Sequence, residues 1–157
     1  MPRRGYKKNI AKNDSVYKSN EVSKLINYVM LDGKKGVAEK IVYDVLERLE
    51  KEQKDPLKTL HLAISNVAPN FEVKPRRLGG ASYLVPVEVR RERKLFLALN
   101  WIVDSAQTRS NKEYKSFENK LYTEILEAAQ NQGNAVTKRN QTEKLAEANK
   151  AFAHLKW

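Results

Sequence analysis

Paired arginines are the residues in this sequence best equipped for chemistry. Arg76-Arg77 and Arg90-Arg91, the latter followed by Arg93 and Lys94, fall within residues 74–94, which hold seven cations against Glu88 and Glu92. Residues 1–20 hold six more, Arg3, Arg4, Lys7, Lys8, Lys12 and Lys18, against Asp14 alone. These two segments supply ten of the eleven net positive charges, so the rest of the chain is nearly neutral. A guanidinium offers a planar fork of donors that matches two phosphate oxygens at once, whereas an ammonium acts as a compact point charge. Crowded into short segments, such groups repel one another until a polyanion neutralises them. The chemistry implied is phosphate recognition, with a nucleic acid as the first candidate partner.

Smaller features point the same way. Lys34-Lys35 sits in a turn bounded by Gly33 and Gly36, where two ammonium groups and the free N–H groups of the next helix start suit a phosphate. A plain solvated turn fits that pattern equally well. Lys138-Arg139 opens the last predicted helix in the same manner. Tyr6, Tyr17 and Tyr83 are interleaved with the basic segments and are suited to stacking on bases, although Tyr83 is equally suited to packing across its own ribbon. Trp101 reads as core. The final His154-Leu155-Lys156-Trp157 reads as an interface, because a tryptophan at that position is otherwise exposed to water.

Catalytic patterns are absent. There is no GxxxxGK[ST] loop, no GxGxxG and no HExxH, and Gly79-Gly80 is too short to cradle a phosphate alone. Glu39, Asp44, Glu47 and Glu50 fall on the wet side of a predicted helix, and His61 reads as a boundary residue rather than a base. With no cysteine and only His61 and His154, neither a disulfide frame nor a metal site is expected, and no cofactor is implied. No apolar run approaches the roughly 18 residues of a membrane span. An enzyme is the least favoured class, and no membrane partner is expected.

Helices must position these groups. Val22, Leu25, Ile26, Val29 and Met30 follow one helical face and stop at Asp32-Gly33. Val37, Ile41, Val42, Val45, Leu46 and Leu49 form a second stripe. Asp55-Pro56 predicts an N-cap with proline at the first helical position, and Leu57, Leu60, Ile64 and Val67 follow it as far as Pro69. From Phe71 the period drops to two, and Tyr83, Val85, Val87 and Val89 alternate with Leu84, Pro86, Glu88 and Arg90. This predicts a β-hairpin with Arg76, Arg77, Leu78, Gly79, Gly80, Ala81 and Ser82 at its tip and no third strand. A central helix from Leu95 to Ala106, a fifth from Phe117 to about Gly133, and a weak sixth from about Val136 to Phe152 complete the expectation. The predicted fold is mainly α: six helices with a protruding two-stranded β-hairpin between the third and fourth. One domain spans residues 1–157. It divides into a basic extended arm (1–19), helices one to three (20–70), the hairpin (71–90), and helices four to six with a tail (91–157).

At this point the residues carry a specific resemblance. Met30-Leu31-Asp32-Gly33-Lys34-Lys35 with Ala38-Glu39-Lys40-Ile41-Val42-Tyr43 resembles the ribosomal protein seven family of the small subunit, in its bacterial or organellar form. Three further blocks resemble it in order: Arg76-Arg77-Leu78-Gly79-Gly80-Ala81 with Val85-Pro86-Val87-Glu88-Val89, then Leu97-Ala98-Leu99 before Trp101, then Ala146 through His154. The resemblance runs over essentially the whole chain. It implies a bundle of six helices with a β-ribbon, and a primary binder of the 3′ major domain of 16S-type ribosomal RNA that nucleates assembly of the subunit head. It places the hairpin tip near exit-site transfer RNA and the messenger RNA path. It implies ribosomal proteins nine, eleven, thirteen and nineteen as neighbours, and the ribosome of a bacterial cytoplasm or of an organelle as the location. Carried onto this sequence, the RNA-contacting set is Arg3, Arg4, Lys7, Lys8, Lys34, Lys35, Arg90, Arg91, Arg93, Lys94, Arg109, Lys138, Arg139, Lys150, His154 and Trp157.

Some positions depart from the family pattern. Asn100 stands where a basic residue is frequent, Leu84 where glutamine is, and Thr137 and Asn140 where a lysine and an acid are common. Two other readings compete. A DNA-binding architectural protein would also be helical and basic, and predicts comparable affinity for B-form duplex. A protein-interaction scaffold predicts apolar side chains on the ribbon and little salt dependence, which the charge partition disfavours.

Overall fold

The computed structural model describes residues 12–52 and 54–155. The first three stripes fold as helices: α1 (Asn20–Val29), α2 (Lys35–Lys51) and α3 (Pro56–Val67). α1 buries Val22, Leu25, Ile26 and Val29, but it ends before Asp32-Gly33 rather than at it. Met30 is already extended, and the chain turns where Asp32 and Gly33 adopt φ of 52° and 72°. The predicted cap of α3 is in place, with the Lys58 N–H donating to Asp55 Oδ1 at 3.2 Å and Pro56 opening the helix. α3 stops at Val67 because Ala68, which precedes Pro69, is extended.

The hairpin is β1 (Phe71–Leu78) paired antiparallel with β2 (Ala81–Glu88), and no third strand joins it among the described residues. Leu78 pairs with Ala81, so Gly79-Gly80 is a two-residue loop. Both glycines have positive φ, 55° and 89°, which matches strand twist and is strained for a side-chain-bearing residue. Val85 is fully buried and Tyr83 packs on Phe152, ring centroids 5.3 Å apart. The ribbon therefore leans on the C-terminal segment along part of its length, while Arg77 and Gly79 to Ser82 stay exposed.

α4 (Arg91–Thr108) is the central helix and buries Leu97, Ala98, Leu99, Ile102, Val103, Ser105 and Ala106. A one-turn helix, α5 (Asn111–Tyr114), follows and was not foreseen, since four residues capped by Ser110 show no apolar period. α6 (Phe117–Ala129) buries Leu121, Tyr122, Ile125 and Ala128. The expected sixth helix is two pieces: α7 (Asn134–Ala148) and a 3-10 turn over Lys150–Leu155. α7 buries Ala135, Val136 and Ala146, whereas Leu145 and Ala148, read as apolar members of its stripe, are exposed. One continuous core joins α1, α2, α3, α4, α6 and α7.

The end of the basic arm is pinned to this core. Asp14 accepts from the Val16 and Tyr17 N–H groups at 3.0 and 2.9 Å and from the Tyr43 hydroxyl at 2.7 Å. Burial pushes the Asp14 carboxyl up, yet these donors more than offset it and hold the group below its ordinary range. Burial and the bond to Asp14 push Tyr43 up to about 12. A carboxyl depressed by folding adds stability that is present above its unfolded value, about 3.9, and is lost as pH falls below it. Asp14→Asn should cost about 1–2 kcal/mol at pH 7. In urea unfolding, the gap between wild type and variant should be smaller at pH 3 than at pH 7, since the contribution is lost as pH falls through the lowered folded value; a gap of equal size at both pH values would contradict the role.

Candidate nucleic-acid interface

The residues that converge lie at the base of the ribbon and the start of α4. Arg90 is the N-cap residue, with extended backbone, and Arg91 is the first helical residue; both are exposed and neither ion-pairs with a carboxylate among the described residues. They share a shallow concavity with Val87, Glu88, Val89 and Lys94, in which three cations face one carboxylate. Lys94 Nζ donates to Asn70 Oδ1 at 2.7 Å, and Asn70 in turn donates its backbone N–H to Glu143 Oε1 at 3.1 Å. Ribbon, α4 and α7 are thus tied at one point. Glu72 on β1 does the rest: it pairs with Lys74 at 3.2 Å and with Arg93 Nε at 3.3 Å. Glu72 and Asn70 were not singled out in the sequence, although Glu72 is the single acid on β1. Lys74 on the ribbon and Arg93 and Lys94 on α4 are aimed by these partners, which lowers the entropy lost when phosphate binds.

The other predicted groups separate into distinct sets. Lys34 and Lys35 are exposed in the α1–α2 turn, with Lys35 3.4 Å from Glu39, beside a groove that includes the exposed Leu31 and Val37. Lys138 and Arg139 lie one turn inside α7 rather than at its opening, and both are partly committed: Lys138 Nζ is 3.9 Å from Asp104 Oδ2, and Arg139 Nη2 donates to Asn131 Oδ1 at 3.0 Å. Lys150 and His154 are exposed on the C-terminal 3-10 turn, with His154 Nδ1 2.8 Å from the Ala151 carbonyl. Tyr17 packs against Tyr43 within the fold, the rings tilted at 46°, and Trp101 packs on the core. Asn100, where the family pattern has a base, donates to Asp104 at 3.1 Å. Arg3, Arg4, Lys7, Lys8, Tyr6 and Trp157 lie outside the described residues.

Arg109 is held otherwise. Named with the RNA contacts, it is turned inward, its side chain only 8% exposed, bridging Glu124, which is fully buried, and Glu127. It also donates to the Tyr114 hydroxyl at 3.0 Å. Burial opposes its charge, but the bonds to Glu127 and Glu124 prevail and raise its proton affinity. With both carboxylates in contact, its charge is spent inside the protein.

No cluster of three or more histidines or carboxylates able to hold a metal occurs among the described residues. No helix among them is long and apolar enough to cross a membrane. Fold and site together define a class, a mainly α protein that presents cations on a β-ribbon and at a helix start. Residues 1–150 match the family described as Ribosomal protein S7p/S5e. Over 159 aligned positions covering all of both chains, the sequence is 51% identical to the small ribosomal subunit protein uS7 of Thermoanaerobacter pseudethanolicus, 51% to that of Acidithiobacillus ferrooxidans and 50% to that of a Sulfurihydrogenibium species. The chain belongs to this family, which is structural and not enzymatic.

Proposed function

We propose that the chain is a structural constituent of the small ribosomal subunit that binds the 3′ major domain of 16S-type ribosomal RNA and nucleates assembly of the subunit head. The observation that carries this reading is the set of cations at the ribbon base, the exposed Arg90, Arg91 and Arg93 and the half-buried Lys94, of which Arg93 and Lys94 are anchored by Glu72 and Asn70. Side chains do not enter the deep, narrow major groove of A-form RNA, so contact falls on phosphates, 2′-hydroxyls and splayed bases. The hairpin tip, residues 76–82, is the part that reaches beyond the body, toward exit-site transfer RNA and the messenger RNA path. Lys34, Lys35, Lys138 and Arg139 are suited to clamping flanking RNA helices, with Lys150 and His154 beside them in the proposed set. Arm residues Arg3, Arg4, Lys7 and Lys8 and the terminal Trp157 complete the proposed set, and Arg109 is removed from it. Ribosomal proteins nine, eleven, thirteen and nineteen are the proposed neighbours, in the ribosome of a bacterium or an organelle.

Titration against the 3′ major-domain RNA fragment and an equal-length DNA duplex, across a salt series, tests the reading. Binding to the RNA should exceed binding to the duplex by at least tenfold, with a slope of log K on log salt that corresponds to about 6–10 phosphate contacts. Equal affinity for both would favour the DNA-binding alternative, and a flat salt series would remove the polyanion altogether.

A further inference from the structure

Among the cations at the start of α4, Arg93 is held differently from its neighbours. Its guanidinium lies over the ring of Phe96, 4.8 Å from the centroid, while its Nε donates to Glu72 at 3.3 Å. Glu72 is itself only 14% exposed and is braced from its other oxygen by Lys74. Phe96 is braced as well: Tyr28 from α1 meets it edge to face, centroids 5.6 Å apart and planes at 75°. Despite this support the site is open to solvent, with Phe96 37% and the Arg93 side chain 49% exposed. A large aromatic ring left at the surface in the middle of the most cationic part of the molecule contributes little to the core. A cation that needed only to meet a phosphate would need no ring beneath it.

We infer that Arg93, laid on Phe96 and tethered by Glu72, is a stacking platform for one unpaired nucleobase. This rests on the RNA-binding reading above and adds to it a contact that is not electrostatic. Bases stack on guanidinium planes as well as on aromatic rings, and each such stack contributes independently of sequence. The salt bridge fixes the plane before the base arrives, so rotamer entropy is lost on folding rather than on binding. Arg90, exposed one turn before Arg93, and Arg91, exposed two residues before it, supply the phosphate contacts that bring a strand to the platform. The ligand is therefore a splayed or bulged nucleotide, with its base on Arg93 and its backbone toward Arg90 and Arg91.

The two kinds of contact respond differently to salt, and that separates them. With the 3′ major-domain RNA fragment, Arg93→Lys keeps the charge and removes the plane, and Phe96→Leu keeps an apolar side chain and removes the ring. Each should weaken binding about fivefold or more at fixed salt while leaving the salt slope unchanged. Arg91→Ala, as a comparison, should lower the slope by about 0.7–0.9. Circular dichroism establishes that each variant is folded, and 4-fluorophenylalanine at position 96 should show a changed fluorine resonance when the RNA is added. Wild-type affinity in both Arg93→Lys and Phe96→Leu, with Arg91→Ala weakened, would overturn the platform and leave the RNA reading standing. No salt-dependent preference for the RNA in the wild type would overturn both.

Discussion

Replacing Arg109 with alanine is expected to lower stability by about 3–5 kcal/mol, because the fully buried Glu124 carboxylate would lose its counter-ion and the half-buried Glu127 its partner. Glu124, on α6, is fully buried, and among the described residues its one other support is the bond it accepts at 2.9 Å from the Ala135 N–H in the first turn of α7. The guanidinium reaches Glu124 from both Nε, at 2.8 Å, and Nη2, at 2.5 Å, while it also holds Glu127 and the Tyr114 hydroxyl. One side chain at the end of α4 thus fixes α5, α6 and the entry to α7. Gly133, at φ 94°, brings the α6–α7 turn so close that an added Cβ would stand 3.0 Å from Glu127 Oε2, which shows how little slack surrounds the network. In thermal unfolding the melting temperature should fall by roughly 6–20 °C. A double-mutant cycle with Glu124→Gln should show coupling of at least about 1 kcal/mol, since the second change removes the charge that the first exposes. Below its melting temperature the variant should keep the wild-type salt slope on RNA. A slope lowered by one contact would restore Arg109 to the interface, and a loss under about 1 kcal/mol would deny the network its structural role.

That residue also shows where sequence reading stops. The helices were legible because their stripes repeat every 3.6 residues: Val22 to Val29, Val42 to Leu49 and Leu121 with Tyr122 and Ile125 are buried as their spacing implies, whereas Val37 and Leu57, read into the same stripes, sit in the first turns of their helices and are exposed. Asp55-Pro56 and Gly79-Gly80 were legible because each is local chemistry, a cap and a twist-matched turn. Arg109 was not, because its fate depends on partners fifteen and eighteen residues away in sequence, across a turn that no periodicity announces. α7 misled for a related reason. Its buried positions, Ala135, Val136 and Ala146, are few and small, so the eye is drawn to Leu145, which faces water. Charge partition located the candidate interface, yet it treated cations as equivalent. Arg93, Lys94, Lys138 and Arg139 are distinguished only by what they touch, Glu72, Asn70, Asp104 and Asn131, and those contacts cross between elements.

Removing charge at the ribbon base should have the largest effect on binding with almost none on folding. Arg90→Gln, Arg91→Gln and Lys94→Gln together eliminate three cations that lie at the N-terminal end of α4. Positive side chains oppose the helix dipole there, each by about 0.3–1 kcal/mol at an exposed site, so their neutralisation should leave the protein as stable as wild type or slightly more so. Lys94 has one compensating contact to lose, the 2.7 Å bond to Asn70, and glutamine is able to offer a donor of its own. Stability and binding are therefore expected to move in opposite directions, which is the mark of residues kept for a partner rather than for the fold. On the RNA fragment the salt slope should decrease by about 2–3, and affinity at low salt should fall on the order of 100-fold or more. The comparison is cleanest when extrapolated toward 1 M salt, where counter-ion release no longer contributes: there the triple variant and wild type should converge. If they remain apart at high salt, these side chains make contacts beyond phosphate; if they coincide at low salt, the RNA approaches some other face of the molecule.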